Sequence, residues 1–414
     1  MITDRIAKVA LFCLIATLIG GLFGCEQLFN IFIDGDMSAP SPAPVVVVKE
    51  REVVHVGLVL PLTGSAAGPY GLSMERGYLL ARDDINSLIY SGARINFITI
   101  DDMSTAEGQV DAFNRLVEMG VQAIVGIGIS TNAIQSLPIA QENQVVALSS
   151  LTSASGLTSI GDYIFRTALA TDVQNPRGVQ VTHAALGYEK VAMIYDDADV
   201  WSTSSHEELD KALNALGVEK LTTQTFQTGY TDFTEQLNAI IASNPDALFI
   251  SGLSAEVVGV MMQGRELGLP SSVPYIVPEL GVYDVERAGD AAEGTITFTT
   301  WISASDAPYN QMFVESYRNT YGIEPDAWAA QSYAALYILY GAIAKAQYDA
   351  SIESPSTVLS TDSKAIREAL AMAQDVETIL GTFSFDANGN AIYDPFVLVV
   401  RDGNFEMFGD ADMP

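Results

Sequence analysis

Short apolar runs alternate with amphipathic segments along most of the chain. From residue 53 the apolar runs are VVHVGLVLPL, RINFITIDD, VQAIVGIG and VVALSS. The segments between them are YGLSMERGYLLARDDINSL, AEGQVDAFNRLVEMG and STNAIQSLPIAQEN, which repeat apolar residues with the helical period of about 3.6 residues. β-rich runs that alternate with helices in this way predict βα units on a parallel sheet.

The same alternation restarts at YIFRT (163–167) and continues to GTITFTTW (294–301). One sheet that contained all of these strands would be unusually wide, so the pattern predicts two sheets. Long helices are expected near 306–321 and 326–349, and a shorter one near 362–373. The turn signals DANGN and RDGN then indicate a hairpin-rich end of the chain.

These elements predict an α/β fold of two Rossmann-like lobes with parallel-rich sheets. We assign residues 53–170 and 304–380 to the first lobe and residues 171–303 and 381–414 to the second lobe. The lobes would be joined by a hinge that the chain crosses several times. Open α/β sheets bind ligands at the carboxyl ends of their strands, so we expect a ligand cleft between the lobes.

The N-terminus has the pattern of an export signal. Arg5 and Lys8 precede the apolar run VALFCLIATLIGGLFG, and the string LFGC ends at Cys25. This string resembles the bacterial lipobox, which implies a lipoprotein signal peptide over 1–24 and lipidation of Cys25. The Pro-, Ser- and Ala-containing stretch within 25–52 is predicted to be a flexible tether. An uncleaved membrane anchor is the alternative, and either arrangement places the folded body outside the inner membrane.

Composition and charge exclude several classes of function. The formal net charge of the 414 residues is −31 at pH 7, so the phosphates of nucleic acid or of an anionic membrane surface would be repelled. Cys13 and Cys25 are the two cysteines, and cleavage with lipidation would leave no thiol for a metal site or a nucleophile. The three histidines show no triad or metal-binding spacing. We therefore expect a protein that is not an enzyme and that has neither a cofactor nor a metal site.

Three loops at strand ends of the first lobe carry candidate binding residues. The Gly-rich loop PLTGSAAGPYG has no Lys and no phosphate-loop spacing, and Tyr70 at its end could project into the cleft. Ser130 lies in GIGIST (126–131), which closes the third strand and opens a helix, and Thr152 lies in the loop SSLTSAS after the next strand. Helix capping or an ordinary turn would also explain each residue alone. Two hydroxyl-rich loops at neighbouring strand ends favour an anion site, which we predict to include Ser130 and Thr152.

Strand ends of the second lobe carry a different set of side chains. Trp201 lies in the polar stretch YDDADVWS and is predicted to be a platform for a ligand, and Leu253 follows another strand in ISGLSAE. Glu279 directly follows the apolar run YIVP. Because an unpaired buried charge costs several kcal/mol, Glu279 is predicted to meet a positive group, either on a ligand or on a Lys or Arg of the protein.

The chain resembles the periplasmic leucine/isoleucine/valine-binding proteins, the substrate-binding subunits of branched-chain amino-acid ABC transporters. The resemblance covers about residues 54–408 and rests on nine segments in register, among them VGLVLPLTGSAAGPYG, IVGIGIST, LSSLTSASGLT, YIVPELG and GTFSFDANGN. It implies that Ser130, Ser150 and Thr152 hold the carboxylate of an amino acid and that Glu279 holds its ammonium group. Tyr70 and Trp201 match aromatic contacts to the ligand.

The resemblance also implies a function. We expect a lipid-anchored, extracytoplasmic protein that closes its two lobes around an amino acid and delivers it to the membrane subunits of an ABC permease. Leu253 stands where this family commonly has an aromatic ligand contact, so the branched-chain preference is not carried over. A lipid-anchored sensor or regulator with the same fold is the alternative function.

Overall fold

The computed structural model describes residues 52–88, 92–353 and 362–409. The predicted signal peptide, Cys25 and nearly all of the predicted tether lie outside these residues. Within them the strands form two large sheets and one small sheet, which confirms the predicted α/β fold with two parallel-rich lobes. No helix in the described ranges combines the length and apolarity needed to cross a membrane.

The first large sheet has five parallel strands in the order β2-β1-β3-β4-β5. These strands are β1 (Val53–Leu60), β2 (Arg94–Asp101), β3 (Ala123–Gly126), β4 (Val146–Ser149) and β5 (Ile164–Arg166). The helices of this part are α1 (Leu72–Ser87), α2 (Ala106–Glu118) and α3 (Ser130–Glu142). A π-helical turn, Ala67–Gly71, precedes α1.

Both faces of the first sheet are buried along β3, β4, β5 and most of β1, as a parallel sheet covered by helices requires, whereas the edge strand β2 is partly exposed. Alternate side chains of β1 point to opposite faces, so Val56 and Leu58 lie in one apolar cluster and Val59 lies in the other. In β4, Leu148 and Ala147 divide between the same two clusters. The continuous apolar runs in the sequence are therefore strands that are covered on both sides.

The second large sheet has seven strands in the order β15-β14-β10-β9-β8-β6-β7. They are β6 (Lys190–Asp196), β7 (Glu219–Phe226), β8 (Ala247–Ser251), β9 (Tyr275–Ile276), β10 (Ile296–Thr299), β14 (Phe396–Arg401) and β15 (Asn404–Met407). The strands from β6 to β10 pair in parallel, whereas β14 and β15 pair antiparallel at one edge. The helices between these strands are α4 (Thr171–Leu186), α5 (Val200–Ala215), α6 (Thr234–Ser243), α7 (Ser254–Glu266) and α8 (Val282–Ala288).

The chain then returns to the first lobe through α9 (Asn310–Tyr321), α10 (Ala327–Glu353) and α11 (Ser363–Ala371). Helix α10 packs closely on α1. A Cβ added at Gly77 of α1 would lie only 2.2 Å from the carbonyl oxygen of Ala329 of α10. Glycine at this position is what allows the two helices to approach each other.

A small antiparallel sheet changes the predicted lobe boundary. Its strands are β11 (Val376–Thr378), β12 (Gly381–Phe385) and β13 (Ala391–Ile392). Phe383, Phe385 and Tyr393 lie in the apolar cluster of the first lobe. The expectation that residues from 381 onward belong to the second lobe is therefore corrected, since the chain enters the second sheet only at β14.

Three connections join the two lobes. The first leaves β5 and enters α4, whose Val179 lies in a core cluster of the second lobe. The second leaves β10 and reaches Trp301 in the core of the first lobe. The third connects Tyr393 in that core with β14. This arrangement leaves a cleft between the carboxyl ends of the two sheets.

Candidate functional site

A narrow cavity of about 40 Å³ lies between the two lobes. This volume accommodates only a few water-sized groups, so the lobes lie close together in the structure. Five residues that the sequence predicted to bind a ligand line the cavity: Tyr70, Ser130, Trp201, Leu253 and Glu279. The sequence reasoning missed the other lining residues, which are Gly128, Ile129, Leu151, Gly252 and Trp328.

The loop before α3 reaches the cleft through strained backbone. Ile127 is a β-branched residue with a φ of 61°, in the left-handed region that such residues rarely adopt. Its N–H donates to the carbonyl of Val59 at 2.9 Å, and its own carbonyl accepts from Ser149 Oγ at 3.1 Å. Backbone strain of this kind is typically held at functional sites by its surroundings. Here it directs the chain into the start of α3.

Helix α3 presents its N-terminus to the cavity. Ser130 is its first residue, is buried, and accepts a hydrogen bond at Oγ from the N–H of Ala154 at 3.4 Å. The N–H groups in the first turn of an α-helix have no partners within the helix, and the helix dipole adds partial positive charge there. This end of the cleft is suited to an anion.

The loop after β4 places its hydroxyl groups differently from the sequence prediction. Ser150 Oγ lies 3.3 Å from Ser332 Oγ, and Thr152 Oγ1 donates to Ser149 Oγ at 2.5 Å. Neither residue lines the cavity, and each is buried among groups of its own lobe. Leu151 lines the cavity instead. Ser153 is the hydroxyl residue of this loop that lies near Glu279, as its effect on the pKa of that acid shows.

Glu279 enters the cleft from the end of β9. Its φ of 59° is also left-handed, and its N–H donates to the carbonyl of Phe298 at 3.0 Å. Burial raises the pKa of Glu279 to about 7, against the opposing influence of the Ser153 hydroxyl and the charge of Arg166. Among the described residues Glu279 takes part in no ion pair.

Arg166 is the protein cation that acts on Glu279, but it is bound elsewhere. Its side chain is buried, with Nη1 donating to the carbonyl of Ala154 at 2.6 Å and Nε donating to Asn390 Oδ1 at 2.9 Å. Burial lowers the pKa of Arg166 to about 10, while Asp172, Asp386 and Glu279 oppose this shift. Arg166 therefore acts on Glu279 through its charge, and no salt bridge joins the two side chains.

Tyr70 and Trp328 form an aromatic corner of the cleft. Their ring centroids are 5.9 Å apart in an edge-to-face arrangement. The Tyr70 hydroxyl accepts from the N–H of Ser254 at 3.1 Å, so it joins the first lobe to the start of α7 in the second. Trp328 lies at the start of α10, far along the sequence from the strand ends. The sequence signal that could have identified Trp328 is the start of a helix directly after the acidic turn EPD (324–326).

Trp201 belongs to the first turn of α5, so the end of the polar stretch YDDADVWS is the start of a helix and not a loop. The side chain is 7% exposed and packs in a cluster with Ala154 and Leu157 of the first lobe. Its indole Nε1 has no hydrogen-bond partner within the described part of the chain. Leu253, which precedes α7, packs on the same cluster. The wall between the anion-binding end and Glu279 is therefore largely apolar.

Hydrogen bonds at the starts of two helices hold the lobes together. Thr131 Oγ1 of α3 donates to Asp199 Oδ1 at 2.5 Å and accepts from the N–H of Val200 at 2.8 Å. Asp199 also caps α5 by accepting from the N–H of Ser202 at 2.8 Å. These contacts bring the N-terminus of α5 against the N-terminus of α3.

The second lobe gives its side of the cleft a negative charge. Asp284 accepts from the Ser254 hydroxyl and, at 2.9 Å, from the N–H of Gly281. Burial raises the pKa of Tyr70 well above its usual value, and the charges of Asp284, Glu279 and Asp199 add to this shift. One end of the cleft thus suits an anion and the other suits a cation.

No cluster of potential metal ligands occurs among the residues that the structure describes.

Comparison with known proteins identifies the family of the chain. The family model described as periplasmic binding protein matches residues 53–404. The chain belongs to this family. A relative, the Leu/Ile/Val-binding protein homolog 2 of Brucella abortus (strain 2308), is 26% identical over 366 residues, which cover 86% of this chain and 93% of the relative.

Two solved structures share the fold of this family member. The leucine binding protein LivK of Thermotoga maritima has a TM-score of 0.78 and 24% identity, covering 86% of this chain and 98% of its own. The branched-chain amino-acid transporter substrate binding protein LivJ of Streptococcus pneumoniae, in complex with isoleucine, has a TM-score of 0.77 and 22% identity with the same coverage of both chains. These similarities confirm a type I periplasmic binding fold with two lobes.

Proposed function

We propose that this protein captures an amino acid between its lobes and delivers it to an ABC permease. The observation that carries the proposal is the carboxylate of Glu279, which forms no salt bridge among the described residues and shares a narrow cleft with Ser130 and the N-terminus of α3. A carboxylate that is buried without a partner is costly, so a site of this kind is suited to a ligand that brings a positive group. A zwitterion supplies that group and an anion for the opposite end.

The walls of the cleft indicate what the rest of the ligand looks like. Leu151, Trp201, Leu253 and Trp328 line the cavity and are largely apolar. They support an apolar or branched-chain side chain, and the proteins that this chain resembles include one described as Leu/Ile/Val-binding. The proposed ligand is therefore an apolar amino acid.

The proposed mechanism is closure of two lobes. Ser130 and the first turn of α3 would hold the carboxylate from one lobe, and Glu279 would hold the ammonium from the other lobe. Ser153 adds a hydroxyl near Glu279. Because the ligand makes all of these contacts only when the lobes are together, binding favours the closed state.

We further propose that Cys25 is lipidated after removal of residues 1–24 and anchors the body to a bacterial membrane, facing the periplasm or the cell exterior. The residues from 25 to 52 would then be the tether. Intact-mass measurement of protein from a bacterial membrane fraction tests this point. A diacylated N-terminus at Cys25 is expected, and a retained Met1 would contradict it.

Isothermal titration calorimetry with leucine, isoleucine and valine tests the ligand. Glu279→Gln removes the charge with little change of shape and should weaken amino-acid binding by about 2–5 kcal/mol, as for a buried charge pair that loses one partner. Glu256→Gln is the matched control, because Glu256 is a buried acid of the same lobe that accepts from the N–H of Gly229 at 2.7 Å and lies outside the cleft. Equal affinities of Glu279→Gln and wild type would reject the proposal.

A further inference from the structure

One polar atom that lines the cleft is buried without a hydrogen-bond partner among the described residues. It is the indole Nε1 of Trp201, in a side chain that is 7% exposed. Most buried polar groups in proteins have a partner, because an unsatisfied donor destabilises the fold. Orphaned groups next to a ligand cleft are therefore candidates for contacts that the ligand completes.

The position of Trp201 identifies the part of the ligand that its N–H would meet. Trp201 is the second residue of α5 and directly follows Val200, whose N–H donates to Thr131 Oγ1 at 2.8 Å. Thr131 directly follows Ser130 at the start of α3. The indole therefore lies beside the anion-binding end of the cleft, although it belongs to the opposite lobe.

The chemistry of the indole agrees with this position. An indole N–H donates and cannot accept, so its partner must be an acceptor. A carboxylate offers about four lone-pair positions, and Ser130 with the first turn of α3 approaches it from one lobe only. An acceptor site that faces the second lobe remains for Trp201.

We propose that the indole N–H of Trp201 donates a hydrogen bond to the carboxylate of the ligand, so that both lobes hold this group. This inference rests on the proposed function, because it requires a ligand with a carboxylate in the cleft. It adds a second-lobe contact to the anion-binding end. Closure then completes the carboxylate site as well as the contact with Glu279, and a ligand without a carboxylate loses both the helix N-terminus and Trp201.

The test compares Trp201→Phe with wild type by calorimetry on three probes. L-Leucine has both charged groups, L-leucinamide lacks the carboxylate, and 4-methylvalerate lacks the ammonium group. Loss of a hydrogen bond to a charged group should weaken binding of leucine and of 4-methylvalerate by roughly 10- to 100-fold and leave leucinamide within about twofold. Phenylalanine keeps an aromatic ring at the position, so this pattern reports the N–H.

Trp301→Phe is the matched control. It removes an indole N–H outside the cleft, one that donates to Asn310 Oδ1 at 2.7 Å. We expect this variant to be less stable by thermal unfolding but to bind the three probes like wild type. A loss of affinity in Trp201→Phe that is equal for leucine and leucinamide, or no loss at all, overturns the inference.

The same titrations separate this inference from the proposed function. If Glu279→Gln binds leucine like wild type while Trp201→Phe still discriminates between leucine and leucinamide, the zwitterion proposal fails and the inference stands. If Trp201→Phe weakens leucine and leucinamide equally while Glu279→Gln loses leucine, the inference fails and the zwitterion proposal stands. Wild-type protein that binds none of the three probes overturns both.

Discussion

Glu279 has to be ionised to hold an ammonium group, yet its surroundings favour the neutral acid. Burial raises its pKa to about 7 from an ordinary value of 4.5. The groups that act on it from neighbouring elements are Ser153 and Arg166, both of which lower its pKa. Its own charge in turn raises the pKa values of Tyr70 and Tyr393. The acid is thus poised close to neutral pH.

This position predicts that binding depends on pH. At pH 6 the acid is mostly protonated and at pH 8 it is mostly ionised, so leucine affinity should rise about tenfold over this interval. Binding at pH 7 should also release about half a proton for each ligand. Calorimetry in buffers of different ionisation enthalpy measures both quantities.

The stability of the unliganded fold should fall as the pH rises, in contrast to the affinity for leucine. Because the folded-state pKa is raised, the contribution of Glu279 to stability is fully present below 4.5 and is lost as the pH rises through about 7. Glu279→Gln should remove the pH dependence of leucine affinity and this contribution to the pH dependence of stability. Glu256→Gln should keep the pH dependence of leucine affinity. Leucine affinity that is constant from pH 6 to 8 in wild type would contradict the assigned pKa.

At the scale of elements, α3 and α5 meet through one threonine. Thr131 Oγ1 both donates to Asp199 and accepts from the N–H of Val200, and Thr131 does not line the cavity. Valine has nearly the same shape but no hydroxyl. Thr131→Val therefore removes both hydrogen bonds between the lobes and leaves the helices intact.

We expect Thr131→Val to weaken leucine binding by about 10- to 30-fold, mainly through faster dissociation, since two hydrogen bonds of about 1 kcal/mol each favour the closed state. Stopped-flow fluorescence measures the two rates. Thr152→Val is the control, because the hydroxyl of Thr152 bonds to Ser149 within one lobe. A dissociation rate equal to that of wild type would show that this contact does not contribute to closure.

Elements with a strong period could be predicted from the sequence, and loops between them could not. The alternation from 53 to 301 predicted the parallel strands of both large sheets, β1 to β10, because burial on two faces leaves long apolar runs. In the loop SSLTSAS the side chains follow no period, and the predicted hydroxyls at Ser150 and Thr152 bond within the lobe. The residues that face the cleft region are Leu151 and Ser153.

The small sheet near the end of the chain shows a related limit. Its hairpin signals were visible in the sequence, but the sequence does not say which core a hairpin packs against. Phe383 and Phe385 are buried in the first lobe, so residues 381–393 stay with that lobe. Trp328 was missed for the same reason, because only tertiary packing brings the start of α10 to the cleft.

At the scale of the whole molecule, the structure places the two lobes in contact. Tyr70 with Ser254 and Thr131 with Asp199 join them across the cleft, and three connections form the hinge. The cavity of about 40 Å³ is small, so the lobes have to separate before an amino acid can enter. Opening exposes the orphaned indole N–H of Trp201 to water, which relieves its cost when no ligand is present.

Small-angle X-ray scattering should therefore find a more open molecule without ligand. We expect the radius of gyration of wild type to fall on addition of saturating leucine, because bound ligand gives the closed state contacts that the open state lacks. Glu279→Gln at the same leucine concentration should keep the larger radius, and Glu256→Gln should contract like wild type. A radius that is equal with and without leucine, in protein that calorimetry shows to bind it, would mean that the lobes do not move. The ligand would then have to enter a closed cleft, and the contact between Thr131 and Asp199 would be a permanent part of the fold.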